Sequence, residues 1–181
     1  MSKFVLIDGH SILNRAFYGV PIFTNSEGLH TNAVFGFLNI MFKIIDSKQP
    51  DYMAVAFDVH QPTFRHEMFK DYKGTRKPMM EELREQVPVI KELLQKMNIT
   101  TVELPGYEAD DVIGTLSKKG EKAGMEVDVI SGDRDLLQLA SDHITICIPK
   151  TKKGQTTVEE YNTEGVRKLY KVTPTEFIDV K

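Results

Sequence analysis

The chain has 181 residues, of which 41% are hydrophobic and 27% are charged, a balance typical of one compact globular domain and not of a disordered chain, a fibre or a coiled coil. Its net charge of −3 means that any contact with nucleic acid must come from a local basic patch. No apolar run approaches the roughly 20 residues of a membrane span, and the single Cys147 suits a reducing compartment, so we expect a cytoplasmic protein without a membrane partner.

Short β-type runs alternate with helical patterns along the chain. The predicted strands, in chain order, are Phe4–Ile7, Tyr52–Phe57, Thr100–Leu104, Val127–Ile130 and Ile144–Ile148. The first two are apolar without alternation, which is typical of strands buried on both faces. Strands separated by helices pair in parallel through right-handed crossovers. We therefore predict an α/β domain with a central, mainly parallel sheet flanked by helices on both faces.

Helical patterns fill the gaps between these strands. The predicted helices cover residues 31–47, 79–97, 107–123 and 163–170. The second of them contains Pro88, which is a candidate kink because proline removes a backbone donor. Thr173 to Glu176 has the pattern of a capping box at the start of a last helix. Residues 150–157 are typical of a hairpin turn near the edge of the sheet.

Acidic side chains follow four of the predicted strands, at the point where each strand ends. They are Asp8, Asp58, Glu108, Asp110, Asp111, Asp133 and Asp135. Because the carboxyl ends of parallel strands share one rim, where open α/β sheets bind ligands, we expect these carboxylates to lie close together. Each acid taken singly is also typical of a turn or a helix N-cap, but capping does not explain the repetition. Ser11 and Ser131, near the acids, are interpreted as turn or capping groups because no histidine-based relay accompanies them.

Repulsion within this cluster indicates bound cations. Two like charges about 4 Å apart cost roughly 4 kcal/mol at an effective dielectric constant of 20, so the cluster requires protons or cations at neutral pH. In an extended chain Asp133 and Asp135 point to the same side, and Glu108 and Asp111 share a helix flank. Ligands that are all oxygen favour Mg²⁺ or Mn²⁺ over zinc. Two such ions at one rim are suited to phosphodiester hydrolysis without a nucleophile from the protein.

A basic and aromatic segment follows Asp58. Between Arg65 and Lys77 there are five cations and two acids, a local charge of +3, with Phe69 and Tyr72 interleaved. The cations are Arg65, Lys70, Lys73, Arg76 and Lys77. Cations bind phosphates and aromatic rings stack on unpaired bases, which favours nucleic-acid binding; a solvated helix face is the alternative. The poor core pattern favours a loop or arch above the rim, spanning about residues 60–90.

Five motifs spread over nearly the whole chain are highly specific when taken together. They are Leu6-Ile7-Asp8-Gly9, Val55-Ala56-Phe57-Asp58, Tyr72-Lys73-Gly74-Thr75-Arg76, Pro105-Gly106-Tyr107-Glu108-Ala109-Asp110-Asp111 and Ser131-Gly132-Asp133-Arg134-Asp135. In this order the chain resembles the 5′-nuclease (flap endonuclease) family, and within it the 5′→3′ exonuclease domain at the N-terminus of bacterial DNA polymerase I. The resemblance implies a PIN-like fold and two-metal hydrolysis of DNA or RNA-primer 5′ ends and flaps. It also implies Mg²⁺ or Mn²⁺ as cofactor and a polymerase domain in the native full-length chain.

The resemblance also implies roles for individual residues. The family has acids that bind the first metal or closely support it, and these match Asp8, Asp58, Glu108, Asp110 and Asp111. The family also has acids at and between the two metal sites, and these match Asp133 and Asp135. Lys73 and Arg76 match basic residues that contact the scissile phosphate in the family. Tyr72 matches a base-stacking position, and Arg15 matches a phosphate-binding position. From the basic segment we add Arg65, Lys70 and Lys77 as nucleic-acid-binding residues.

The chain also departs from the family pattern. Family members normally continue into a helix–hairpin–helix-like element that holds duplex DNA and carries two further aspartates for the second metal. We expect residues 1–181 to form the catalytic α/β domain without that element, which leaves the second metal site short of ligands. Two alternatives stay open: a catalytically weak, nucleic-acid-binding fragment, and a PIN-type ribonuclease.

Overall fold

A six-stranded sheet lies at the centre of the chain, in a computed structural model that describes residues 1–59, 61–69, 72, 78–152 and 155–180. The strands are β1 (Lys3–Asp8), β2 (Tyr52–Ala56), β3 (Thr100–Val102), β4 (Glu126–Ile130), β5 (Ile144–Lys152) and β6 (Gln155–Tyr161). Their spatial order is β3-β2-β1-β4-β5-β6, and all neighbours are parallel except β5 and β6, which are antiparallel. The predicted mainly parallel α/β sheet is confirmed.

Helices connect these strands. They are α1 (Gly9–Gly19), α2 (Asn32–Lys48), α3 (Phe64–Met68), α4 (Glu81–Arg84), α5 (Gln86–Lys96), α6 (Ala109–Lys122) and α7 (Thr163–Tyr170), with 3₁₀ segments at Arg134–Leu139 and Glu176–Val180. None of the helices in the described part of the chain has both the length and the apolar character needed to cross a membrane.

The sheet separates two apolar layers. Because side chains alternate along a strand, Val5 and Ile7 face the layer that contains α1, α2 and α5, while Leu6 faces the layer that contains α6 and the 3₁₀ segment after β4. All three side chains are at most 1% exposed. This double burial explains why the sequence of β1 is apolar without alternation.

The strand order reverses between β1 and β4. The chain passes from β1 outward to β2 and β3 on one side, then returns to place β4 on the other side of β1. Connections that leave in opposite directions open a crevice at the carboxyl ends of these two strands, which is the usual ligand position in an open α/β sheet. Asp8 ends β1, and Asp133 comes three residues after β4 ends at Ile130.

The helix predicted over 79–97 is divided in the turn that precedes Pro88. α4 and α5 meet at Glu85, whereas Pro88 lies in the first turn of α5. Pro88 has no N–H to donate to the carbonyl of Arg84, four residues earlier, and its ring crowds that carbonyl, so the helix is interrupted in the preceding turn. The interruption that Pro88 predicts is therefore present, and it falls one turn before the proline.

Two other elements differ in detail from the prediction. β3 ends at Val102, two residues earlier than expected, because it is an edge strand that pairs only with β2. Thr173 and Glu176 form the predicted reciprocal bonds, since Glu176 Oε2 accepts from Thr173 N (2.8 Å) and Glu176 N donates to Thr173 Oγ1 (3.2 Å). The segment that they begin is 3₁₀ rather than α. The predicted hairpin strands pair as β5 and β6, while residues 153–154 lie outside the described residues.

Candidate active site

Asp8 lies at the end of β1 and caps α1. Its Oδ1 accepts from Ser11 N (3.0 Å), which satisfies one of the free donors at the start of the helix. The residue is 6% exposed. Burial raises the pKa of Asp8 to about 6; hydrogen bonds from Ser11 and Ser131 lower it, and the charges of Asp58 and Asp133 raise it further. Asp8 is therefore both a helix cap and a carboxylate held close to other carboxylates.

Serine hydroxyls join the ends of β1 and β4. Ser131 Oγ donates to Asp8 Oδ2 (2.8 Å) and accepts from Asp133 N (3.0 Å), and Ser131 is fully buried. Ser11 Oγ accepts from Gly132 N (2.9 Å). The interpretation of both serines as turn or capping groups is therefore incomplete, because they also fix the orientation of Asp8 relative to the loop after β4.

Asp58 follows β2 and is held by a different element. Its Oδ1 accepts from Ala109 N (2.7 Å), the first amide of α6. The preceding Phe57 ring packs on Gly9, where an added Cβ would lie 2.3 Å from the ring. This close approach brings the end of β2 against the end of β1, and only glycine allows it.

The first turn of α6 directs its acids to different sides. Glu108 is 9% exposed and precedes the helix. Asp110 accepts no hydrogen bond and forms no ion pair within the described part of the chain. Burial raises the pKa of Asp110 to about 7, and the negative charges of Asp8, Asp133, Asp58 and Glu108 add to that increase. Asp110 therefore faces the other acids.

Asp111 is turned away from that group and is held by Arg65. Arg65 Nη1 and Nη2 donate to the two carboxylate oxygens of Asp111 at 2.7 and 2.8 Å, a bidentate pair. Asp111 Oδ2 also accepts from Glu108 N (3.0 Å). Hydrogen bonding to Asp111 raises the pKa of Arg65. The pair connects the start of the basic segment to the start of α6.

Asp133 and Asp135 do not point to the same side, as an extended chain would have them do. A 3₁₀ segment begins at Arg134, and Asp133 caps it by accepting from Asp135 N at Oδ1 (2.9 Å). Asp133 lines the same cleft as Asp8, whereas Asp135 lines the neighbouring groove along α6. The expected parallel orientation of the two side chains is wrong because the chain is helical there.

Five of the seven predicted acids line one cleft of about 380 Å³. They are Asp8, Asp58, Glu108, Asp110 and Asp133. Asp111 and Asp135 line the adjacent groove, which Glu108 and Asp110 also border. The remaining residues that line the cleft are His10, Ser11, Asn14, Met79 and Ala109, and sequence reasoning did not select them for it.

The donor atoms of the cleft acids suit a hard divalent cation. They are all carboxylate oxygens, and burial with mutual repulsion raises the pKa of Asp8 and Asp110, so a cation would relieve that repulsion. Among the described residues, no three His, Cys, Asp or Glu side chains are arranged to enclose an ion. Mg²⁺ commonly takes one or two carboxylates and keeps several waters, and this requirement fits the cleft.

The predicted nucleic-acid-binding residues lie beside the cleft where the structure describes them. Arg15, on α1, lines a shallow depression of about 540 Å³ that adjoins the cleft, and burial lowers its pKa. Tyr72 donates from its hydroxyl to Glu108 Oε2 (3.3 Å), and Arg65 binds Asp111. Lys70, Lys73, Arg76 and Lys77 lie outside the described residues, so their predicted roles stay predictions.

Solved structures share this fold. The chain matches a protein of phage T5 co-crystallised with metal ions with a TM-score of 0.71 and 20% identity, over 99% of this chain and 64% of that one. It matches a bacteriophage T5 flap endonuclease in a pseudo-enzyme-product complex with DNA and metal ions with a TM-score of 0.72 and 22% identity, over 96% and 62% of the two chains. The chain therefore has the same α/β fold as these T5 proteins.

The family is established by sequence. Residues 3–171 match the model of the 5′-3′ exonuclease N-terminal resolvase-like domain, and the chain belongs to that family. It is 51% identical over 179 residues to DNA polymerase I of Bacillus caldotenax and to DNA polymerase I of Bacillus subtilis, matching 99% of this chain in each case. The chain spans about a fifth of the length of these curated relatives, which is 20% of each.

Proposed function

We propose that this domain is a divalent-metal-dependent 5′ nuclease that hydrolyses phosphodiester bonds at DNA 5′ ends and flaps. The observation that carries the proposal is the cleft in which Asp8, Asp58, Glu108, Asp110 and Asp133 meet at the β1–β4 reversal. Membership of the 5′-3′ exonuclease family supports this reading of the cleft. Tight packing of acids is otherwise costly for a fold, so a cation-dependent role gives it a physical reason.

The cleft acids would hold the metal ions, with Mg²⁺ or Mn²⁺ as the proposed species and two as the proposed number. Asp135, in the adjacent groove, would serve a second ion together with Asp110 and Glu108, which border both cavities. Bound divalent ions supply Lewis-acid activation of the attacking water and neutralise charge on the attacking and leaving oxygens. Asp111, held by Arg65, acts as a support for Glu108 rather than as a ligand.

The chain's own residues position the reacting strand. Ser131 and Ser11 N–H hold Asp8 in one orientation, so the cleft is formed before substrate arrives. Arg15 beside Asp133 is placed to bind a phosphate of the reacting strand. Lys73 and Arg76, from the basic segment, are proposed to add positive charge beside the scissile phosphate.

The proposed substrate follows from the relatives. Proteins 51% identical to this chain are DNA polymerases I, and a fold neighbour from phage T5 forms a complex with DNA and metal ions. We propose that the domain removes 5′ ends, flaps and RNA primers ahead of a polymerase in a longer native chain.

Asp58→Ala tests the metal mechanism in the full-length native protein. Losing one cleft carboxylate removes several kcal/mol of charge stabilisation, so we expect Mg²⁺-dependent cleavage of a 5′-labelled DNA flap to fall by roughly 100-fold or more. Asp46→Ala, an exposed acid on α2, is the matched control and should leave the rate unchanged.

Equal cleavage by the Asp58→Ala protein and the wild type would show that the cleft is not the site of hydrolysis. Cleavage of RNA but not of DNA by the same protein would instead favour a PIN-type ribonuclease. Metal-independent, salt-sensitive binding of single strands without turnover would favour a non-catalytic binding fragment.

A further inference from the structure

Three cavities at the carboxyl edge of the sheet overlap and form one path. The depression beside Arg15 shares Ser11, Asn14 and Asp133 with the acid cleft. On its other side the acid cleft shares Glu108 and Asp110 with the groove along α6. The three cavities are therefore contiguous, in the order Arg15 depression, acid cleft and α6 groove.

The groove along α6 changes from acidic to basic along its length. It has a volume of about 690 Å³ and begins among the acids at the start of the helix. At its far end it is lined by Lys118, Lys119 and Lys122. Lys118 is paired with Glu121 at 3.1 Å, whereas Lys119 and Lys122 are exposed and form no ion pair with any residue that the structure describes.

Lys119 and Lys122 lie far enough from the acid cleft that a nucleic-acid strand, but not a small ligand, could contact both the lysines and the cleft. At about 1.5 Å per residue, Lys119 and Lys122 lie roughly 14 and 18 Å along α6 from Asp110. The path is then basic at Arg15, acidic in the cleft, and basic again at these two lysines. A phosphodiester backbone with its reacting phosphate over the acids would meet cations on both sides.

We propose that the α6 groove binds the unpaired 5′ strand of the substrate, with Lys119 and Lys122 contacting its phosphates. The choice of a single strand over a duplex follows from Tyr72, a half-buried aromatic residue that lines the same groove near Glu108 and packs edge-on with His66, because aromatic side chains are typical of sites that bind unpaired bases. The inference rests on the proposed nuclease function. It identifies the α6 groove, on the side of the cleft opposite Arg15, as the site of the unpaired 5′ strand.

Lysines in the last turn of a helix also complement the helix dipole, and that role alone would leave nucleic-acid binding unaffected by their removal. The test therefore measures binding directly. The probes are a fluorescein-labelled oligothymidylate of about 20 nucleotides and a blunt duplex of the same length. Each probe is titrated with the protein in a buffer that contains Ca²⁺ in place of Mg²⁺.

The test variant is Lys119→Ala with Lys122→Ala, and the matched control is Lys96→Ala with Lys168→Ala, two exposed lysines on α5 and α7. Each phosphate contact to a single strand contributes about 0.7 to the slope of log K against log salt, so losing two should reduce the slope by about 1.4. We expect roughly 10-fold weaker binding of the single strand at 0.1 M salt, and a smaller change for the blunt duplex.

The inference is overturned if the test and control variants bind the single strand alike, if both probes weaken equally, or if the wild type does not bind the single strand. Mg²⁺-dependent cleavage of a flap is measured separately on the wild type. If the wild type cleaves the flap and the test variant binds the single strand as well as the wild type does, the nuclease function is supported and the role of the α6 groove is contradicted. The expected loss of binding in the test variant, together with no cleavage by the wild type, would support the groove and contradict the nuclease function.

Discussion

Individual carboxylates in this domain form a structural hydrogen bond and also lie in the cleft where we propose that metal ions bind. Asp8 caps α1 through Ser11 N, and Asp133 caps the 3₁₀ segment through Asp135 N. Each carboxylate oxygen has two lone pairs, so a bond to the backbone leaves room for another partner. Capping and metal binding are therefore compatible explanations for an acid after a strand, and the backbone bond is what orients the acid in the cleft.

Ser131→Ala should weaken metal binding without unfolding the chain. The change removes the hydroxyl that donates to Asp8 Oδ2 and accepts from Asp133 N. Loss of a partner that orients a ligand typically costs 10–100-fold in metal affinity or activity, so we expect the Mg²⁺ concentration for half-maximal cleavage to rise by about that factor. Ser131→Thr keeps the hydroxyl and should restore most of the affinity. If both variants behave alike with an unchanged Mg²⁺ requirement, Ser131 has no positioning role.

Asp110→Asn should stabilise the metal-free domain at pH 8. Asp110 has a pKa of about 7 in the folded chain against an ordinary value of 3.8, so the folded state binds more protons between those values and its stability falls as pH rises through them. Removing the charge should add on the order of 1–2 kcal/mol at pH 8 in EDTA, which is about 2–8 °C in Tm, and nothing near pH 3.5.

With Mg²⁺ the order of the two Tm values should reverse, because the wild type binds the ion better and binding to the folded state stabilises it. A variant that melts below the wild type in EDTA at pH 8 would show that Asp110 is not under repulsive strain from the other acids. Thermal melts at both pH values, with and without Mg²⁺, make the comparison.

At the scale of helices, α2 depends on a side chain from α5. Gln86 is fully buried, and its Oε1 accepts from Ala33 N (2.8 Å) and Val34 N (3.2 Å) at the start of α2. Its Nε2 donates to Asn32 Oδ1 (3.1 Å) and Glu82 O (2.7 Å). One amide thus satisfies donors of α2 and joins it to α4 and α5, the helices that follow the basic segment.

Gln86→Leu should destabilise the domain strongly. Leucine leaves two N–H groups of α2 and the Asn32 amide oxygen without their partner, and each such buried group costs about 1–3 kcal/mol. We expect a loss of roughly 2–4 kcal/mol in the free energy of unfolding in urea. Gln95→Leu, an exposed glutamine on the same helix, is the control and should change it by less than about 0.5 kcal/mol. A similar small effect for both variants would mean that water replaces the lost bonds.

At the scale of the whole molecule, the fold was predictable because its signals are local. Apolar runs such as Val5–Ile7 and the periodicity of α2 and α6 are read directly from neighbouring residues. The gathering of acids was predictable too, since parallel strands place their carboxyl ends on one rim. These features require only the period of the chain and the rule for parallel connections.

The bonds that organise the site were not predictable, because they join residues far apart in sequence. Ser131 meets Asp8 across 123 positions, and Arg65 meets Asp111 across 46. Asp135 was predicted to point to the same side as Asp133, which assumed an extended chain. The chain is 3₁₀ there because the Asp133 side chain caps the segment, and sequence alone does not show that cap. The final 3₁₀ segment likewise carries the capping signal of an α-helix but packs as a shorter turn.

The bond from Ala109 N to Asp58 has a mechanical consequence. Asp58 is oriented by the first amide of α6 and not by the residues that come after it. This wall of the cleft should therefore keep its shape as long as β2 and α6 stay packed, although Gln86 and the core residues of α5, which lie between them in sequence, are needed for folding. A 5′ nuclease of the kind proposed here could then change the residues directly after Asp58 without turning this carboxylate away from the cleft.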